Sequence, residues 1–215
     1  TLLSIQKDLE KRETEVKTFK KKLVKKENDL NIAQSSLTEK SIRIEELESK
    51  INAQNSAMND LKGNITKALK EFTSEDLTVS EKAGKIYVSL SENLLFKSGS
   101  FNLDQKGADA ITKLAEVLAK QKNVDIIVEG HTDSDPFKGS GALLDNWDLS
   151  VKRATSVVRI LEKNNVPKDR IVASGRADHI ALTGNSTKEE KAKNRRTEII
   201  LSPDLDHLMN LLQSK

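Results

Sequence analysis

The chain has no cysteine, three prolines, one tryptophan and one tyrosine among 215 residues. Without cysteine, neither a disulfide framework nor a thiolate metal site is available. Aromatic residues make up 3% of the chain and charged residues 32%, so much of it cannot be ordinary packed core and one part should be extended, within a length that suits one or two domains. The formal net charge is only +3 and the two signs are interspersed, which gives no single-sign field for nucleic acid or a membrane surface. There is neither a signal peptide nor an apolar run long enough to span a bilayer, so any export signal, lipid anchor or membrane helix is expected to precede Thr1. His131, His179 and His207 stand singly, without metal-ligand spacing, which argues against a zinc site.

What is present begins with a seven-residue repeat. Leu2, Leu9, Val16, Leu23, Leu30, Leu37, Ile44, Ile51, Met58, Ile65 and Phe72 form an unbroken apolar column with no proline in the segment. That pattern predicts a coiled-coil helix over residues 1–72, on the order of 100 Å long at ~1.5 Å per residue. The companion column, from Ile5 through Arg12, Phe19, Lys26, Ala33, Lys40, Leu47 and Gln54, is interrupted by polar groups at every second position. Long Lys and Arg stems at the seam of a loosely packed homo-oligomer account for it. A single solvated helix is the alternative, but it would leave the apolar column wet.

Gly63 and Thr73-Ser74-Glu75-Asp76 mark the passage into a globular part over residues 73–202. Ile86, Val88 and Leu90 alternate with polar residues as a half-buried strand, and Ile111, Leu114, Ala115 and Leu118 trace a helical stripe. Val124 to Val128 is a β-branched run that suits a buried strand, with Thr132 and Asp133 at its C-terminal edge. A second helix opens near Asn146, a plausible N-cap, and turns Ala154, Val157, Val158 and Leu161 inward. Ile171 to Gly175 is a short strand, Thr187 with Glu190 a capping box, and Arg195 to Leu201 the last strand. Residues 203–215 form a C-terminal helix with Leu205, Leu208, Met209 and Leu212 on one face.

The most informative residues are Glu129-Gly130-His131-Thr132-Asp133 and, further on, Leu149-Ser150-Val151-Lys152-Arg153-Ala154. They set a carboxylate at a strand end and a guanidinium on the first turns of a helix, with Asn146 and Arg153 on one side of it. A carboxylate can hold an ammonium, and Arg can fork onto a carboxylate, so the pair suits a zwitterion. A plain ion pair closing a loop is the bland alternative. His131 beside Asp133, with Ser134 or Ser150 near, also invites a hydrolase reading, but no nucleophile-elbow pattern supports it, and binding without turnover fits best. Gly139-Ser140-Gly141 is too short for a phosphate loop and reads as a flexible linker.

Gly-His-Thr-Asp, then Asp145-Asn146-Trp147-Asp148-Leu149-Ser150-Val151-Lys152-Arg153-Ala154, Gly175, and Asn194-Arg195-Arg196-Thr197-Glu198-Ile199, resemble the OmpA-like (OmpA/MotB/Pal) peptidoglycan-binding domain over roughly residues 75–202. The resemblance implies an α+β fold, a mixed β-sheet with helices packed on it in a βαβαβ-β plan. It implies a non-enzymatic, cofactor-free binder of peptidoglycan that anchors the outer membrane or an envelope complex to the wall. The zwitterion would be the free amino-acid end of diaminopimelate, held by Asp133 and Arg153. Asn146, Thr132 and Leu149 would assist, and Asn194, Arg195 and Arg196 would border the site. The resemblance places the chain in the periplasm of a Gram-negative bacterium, joined to the outer membrane by an anchor before Thr1. The segment from Ser134 to Asp145 is longer than in the Pal-like version and, with Pro136 and Trp147, looks more like the MotB branch. An outer-membrane lipoprotein and a stator fragment of a flagellar motor both remain open, as does a self-association module without ligand.

Overall fold

The computed structural model describes residues 2–72, 75–97, 99–139, 141 and 143–204. The C-terminal helix expected from Leu205 onward therefore lies outside the described residues. The chain divides into two compact units, residues 1–53 and residues 54–215.

The described residues of the first unit are helical, part of α1 (Leu2–Ala68). Nothing in its sequence breaks a helix, since proline is absent and Gly63 is the only glycine of α1. Leu9, Val16, Leu23, Leu30, Leu37, Ile44 and Ile51 are all exposed, so the apolar column finds no partner within its own unit.

In the second unit the column changes use. Its Met58 and Ile65, with Leu61 and Leu69 beside them, are buried in the core of the globular domain, and its Phe72 packs against that core. Where the sequence suggests a domain beginning at residue 73, the last turns of α1 already supply core side chains. Fully burying a Leu or Ile is worth about 1.5–3 kcal/mol, so these turns are held firmly.

The domain continues with β1 (Leu77–Lys82), β2 (Lys85–Ser91), a single turn α2 (Glu92–Leu95), α3 (Gln105–Leu118), β3 (Val124–His131), α4 (Asn146–Lys163), β4 (Ile171–Gly175), α5 (Lys188–Asn194) and β5 (Arg196–Pro203). The five strands lie in the order β1-β2-β5-β3-β4, antiparallel except for the β3/β4 pair, whose parallel crossover is α4. Ile86, Val88 and Leu90 of β2, Ile126 and Val128 of β3, and Ile199 and Leu201 of β5 form one core with Ile111 and Leu114 of α3 and Val157 and Leu161 of α4. This is the α+β plan, a mixed sheet with helices packed on it, that the family resemblance implies.

One strand is not legible in that alternation. β1 is an edge strand whose only apolar residues are Leu77 and Val79, the rest being Thr, Ser, Glu and Lys. Its charged edge discourages pairing with another chain. The turn to β2 is Ala83-Gly84, both at positive φ, the geometry of a two-residue hairpin loop.

Two glycines fix how α4 sits on the sheet. A side chain at Gly130 would collide with the backbone carbonyl of Ser150, and one at Gly175 with Ser150 and Val151. The first turns of α4 therefore lie directly against the C-terminal ends of β3 and β4, and this contact positions the cleft described next.

Candidate functional site

A cleft of about 590 Å³ opens where β3 ends. Thr132 and Asp133 follow β3, Asn146, Leu149 and Arg153 come from α4, Glu92 from α2, Lys188 and Lys191 from α5, and Arg195 from the C-cap of α5 just ahead of β5. A groove of similar volume lies along α1 between Ile5 and Lys20, but it is the corrugation of one exposed helix and gathers no converging polar groups from different elements.

Four charged side chains form an alternating series through the cleft. Arg153, which is buried, pairs with Glu92 through Nη2 and donates from Nε to the carbonyl of Ser100 at 3.0 Å. Its guanidinium also lies over the Phe96 ring, 5.3 Å from the centroid. The second oxygen of Glu92 accepts from Arg195 Nε, and Arg195 Nη1 donates to Asp133 Oδ2 at 2.6 Å. Burial alone would depress the pKa of Arg195, but its hydrogen bond to Asp133, together with the charge and hydrogen bond of Glu92, outweighs burial and raises it. Glu92 is shared by two guanidiniums, and Asp133 is the outermost acid of the series. Two cations and two anions cancel, which is what allows them to lie this deep.

The loop carrying Asp133 is itself fixed. Its Oδ1 accepts from the backbone N–H of Asp135 at 3.0 Å, and Asn146 Nδ2 donates to the carbonyl of Asp135 at 3.0 Å. Thr132 Oγ1 donates to the carbonyl of Asp133, and its backbone N–H donates to Ala177. Lys191 Nζ meets Asp135 Oδ1 at 2.6 Å. The capping box of Thr187 and Glu190 holds the start of α5 beside this group.

The structure brings Asp133, Arg153, Asn146, Thr132, Leu149 and Arg195 to one cleft and leaves Asn194 and Arg196 outside its lining. Asp133 and Arg153 are not paired with each other. Glu92 and Arg195 stand between them, so the simple ion-pair alternative gives way to a longer series. Asn194 is fully buried and uses its amide to bind the 182–185 segment, accepting from Leu182 and Thr183 N–H and donating to Thr183 and Gly184 carbonyls. Arg196 pairs with Glu198 at 2.8 Å and donates to the Ile180 carbonyl. Of the two neighbouring arginines, Arg195, in the joint between α5 and β5, reaches the cleft, while Arg196, the first residue of β5, does not. The N-cap of α4 is Asp145, accepting from the N–H groups of Trp147 and Asp148, and Asn146 is the first helical residue. Asn146 is thereby free to brace the Asp133 loop. Glu92 is the member that sequence reasoning misses. It is a lone acid ahead of Leu94, and nothing local marks it as the hub of two arginines.

Below the cleft, His131 is buried and neither ring nitrogen has a hydrogen-bond partner. Its Nε2 lies 3.3 Å from Glu129 Oε1 and 3.8 Å from Glu198 Oε2. Among the described residues these three alone could jointly offer atoms to an ion. The other oxygen of each carboxylate is taken, Glu129 by Arg176 at 2.9 Å and Glu198 by Arg196 at 2.8 Å. Those four charges already balance. Burial, then the fields of Arg196 and Arg176, lowers the pKa of His131 to about 3, so it stays neutral. Ser150 Oγ donates to the Trp147 carbonyl and accepts from Ala177 N–H, and no hydrogen bond links it to His131, so the hydrolase constellation is not assembled.

Comparison with known proteins points to the same region. Residues 95–195 match the OmpA family model. The chain is 35% identical to probable lipoprotein YiaD of Escherichia coli over 59% of its length and 56% of that protein's. It is 26% identical to motility protein B of Bacillus subtilis over 70% of its length and 58% of that protein's, so it spans little more than half of either relative. Among solved structures, the cell wall anchor of the T6SS from Pseudomonas aeruginosa superposes with a TM-score of 0.59 at 26% identity, covering 65% of this chain and 96% of that one. Family match, relatives and solved fold agree on the globular part built around the cleft, which is an OmpA/MotB-like domain.

Proposed function

We propose that this chain binds peptidoglycan without turning it over, seating the free amino-acid end of diaminopimelate in the cleft, and so ties a component of the cell envelope to the wall. The observation that carries this reading is the alternating series of Arg153, Glu92, Arg195 and Asp133 at the end of β3. The ligand's ammonium takes the place of the Arg195 Nη1 on Asp133, and the released guanidinium turns its fork to the ligand's carboxylate. Arg153 acts from beneath, holding Glu92 so that Arg195 keeps one fixed partner while it exchanges the other. Charge is conserved in this swap, because a zwitterion brings one charge of each sign. The solved T6SS protein of this fold is described as a cell wall anchor, which agrees with the reading.

The exposed apolar column of α1 supports self-association in parallel, with second copies of this chain as partners. Attachment to the outer membrane through an anchor ahead of Thr1, with the domain in the periplasm, is the setting we favour, given the lipoprotein relative. A stator-type role is the second reading, favoured by the similarity to motility protein B.

The test is co-sedimentation with purified peptidoglycan sacculi, using free diaminopimelate as competitor. Retention that the competitor releases is expected. A chain that stays in the supernatant with sacculi in excess overturns the reading.

A further inference from the structure

Trp147, the only tryptophan, is 46% exposed although it is the side chain with the most apolar area to hide. Its ring is not bare. The imidazole of His179, from the segment after β4, lies 5.1 Å away centroid to centroid at an interplanar angle of 35°. Val151, one turn along α4 on the same face, and Ile180, next to His179, are also exposed. Two rings from separate elements thus form a small apolar shelf, held from behind by the N-cap bond of Asp145 to the Trp147 N–H.

The shelf begins one residue along α4 from the cleft lining. Asn146 and Trp147 are consecutive in the first turn of α4, Asn146 lining the cleft and Trp147 outside its lining. They are separated by no more than about the ~10 Å width of a helix. A stem peptide whose third residue is diaminopimelate carries its sugar beyond the length of that residue and two more, and three such lengths reach roughly 10 Å at ~3.3–3.6 Å each. A pyranose presents a C–H face that packs on aromatic rings and hydroxyls that stay in water, and this suits a half-exposed shelf better than a deep pocket does.

We propose that Trp147 and His179 form a saccharide subsite that takes the amino-sugar of the glycan strand while the cleft holds the stem peptide. This rests on the peptidoglycan reading for its geometry. The subsite itself needs only a saccharide, so the two can fail separately.

Because Trp147 is the only indole, its emission reports on the subsite directly. The full chain is titrated with three probes: the free tripeptide ending in diaminopimelate, the same tripeptide on its N-acetylglucosaminyl-N-acetylmuramyl disaccharide, and a chitotetraose without peptide. The disaccharide-bearing probe should bind about fivefold more tightly than the free peptide and shift the emission to the blue. In Trp147→Ala, checked for folding by thermal melting, the ratio of the two affinities should fall to near one, and in Trp147→Phe it should recover part of the way. An emission shift with chitotetraose but no binding of the tripeptide sustains the subsite and overturns the peptide reading alone. Equal affinities with unchanged emission in every arm overturn the subsite. So does an emission change that depends only on protein concentration, which would make the shelf a contact between copies of the chain.

Discussion

Arg195 and Asp133 meet at 2.6 Å across the mouth of the cleft, although 62 positions separate them in the chain. Asp133 is held by a guanidinium whose other side is shared with Glu92. In the proposed binding mode the ligand exchanges partners on Asp133, and the strength of binding would depend on how evenly the incoming ammonium replaces the outgoing arginine.

Asp133→Asn keeps the shape but removes the charge. Affinity for sacculi should fall tenfold or more, on the scale of ~2 kcal/mol for a charge-assisted hydrogen bond. The fold should survive, since Arg195 retains Glu92. Arg195→Ala should weaken binding comparably, and the double variant should lose less than the sum. Sedimentation isotherms for the three variants measure both claims.

Glu92→Gln is expected to act differently. It leaves the buried Arg153 without its carboxylate, and breaking such a pair by removing one partner costs about 3–5 kcal/mol. Urea unfolding should show a loss of that size, larger than for Asp133→Asn. Equal stability of the two variants would contradict the hub role of Glu92.

The pH dependence of stability should carry a signature of His131. Its folded pKa lies near 3 against an ordinary 6.5, so the unfolded chain takes up this proton first as pH falls. The advantage of the neutral buried ring is intact above about pH 6.5 and erodes toward pH 3, by at most about 1.4 kcal/mol per pH unit. His131→Asn cannot take up the proton and should show a flatter profile over that window. The comparison needs only denaturant midpoints at a series of pH values.

Self-association should depend on the exposed column of α1. Replacing Val16, Leu30 and Ile44 together with Asp puts charges on that column at positions outside the domain core. Light scattering should then report a monomer where the parent chain is oligomeric, with the domain's melting temperature unchanged. A parent chain that is monomeric at high concentration would refute the partner role.

Most strands and helices were legible because their residues carry a clear period, two for Ile86-Val88-Leu90 and near 3.6 for Ile111-Leu114-Leu118. β1 was not, because an edge strand needs little apolar content and Leu77 and Val79 are too few to set a period. In the site, Asp133, Asn146 and Arg153 stood out by motif position. Glu92 could not, since its role comes from two arginines 61 and 103 positions away that only the closed sheet brings together. An indole has much apolar area to bury and so reads as an anchor of the helix start. Trp147 is instead half exposed, and the buried apolar residue beside the cleft is Leu149. Helical periodicity does separate these two residues, which lie about 200° apart around α4, Leu149 in line with the buried Arg153 and Val157 and Trp147 in line with the exposed Val151.

The close seat of Ser150 on Gly130 and Gly175 has an evolutionary consequence. Because the missing side chains at these two positions set the height of α4 above the sheet, a single added methyl would lift Asn146, Leu149 and Arg153 together rather than disturb any one of them. Ligand preference in this domain can therefore drift through residues that touch no ligand at all. A change at either glycine would thus move three cleft residues at once, while a change at one charged side chain would alter a single contact.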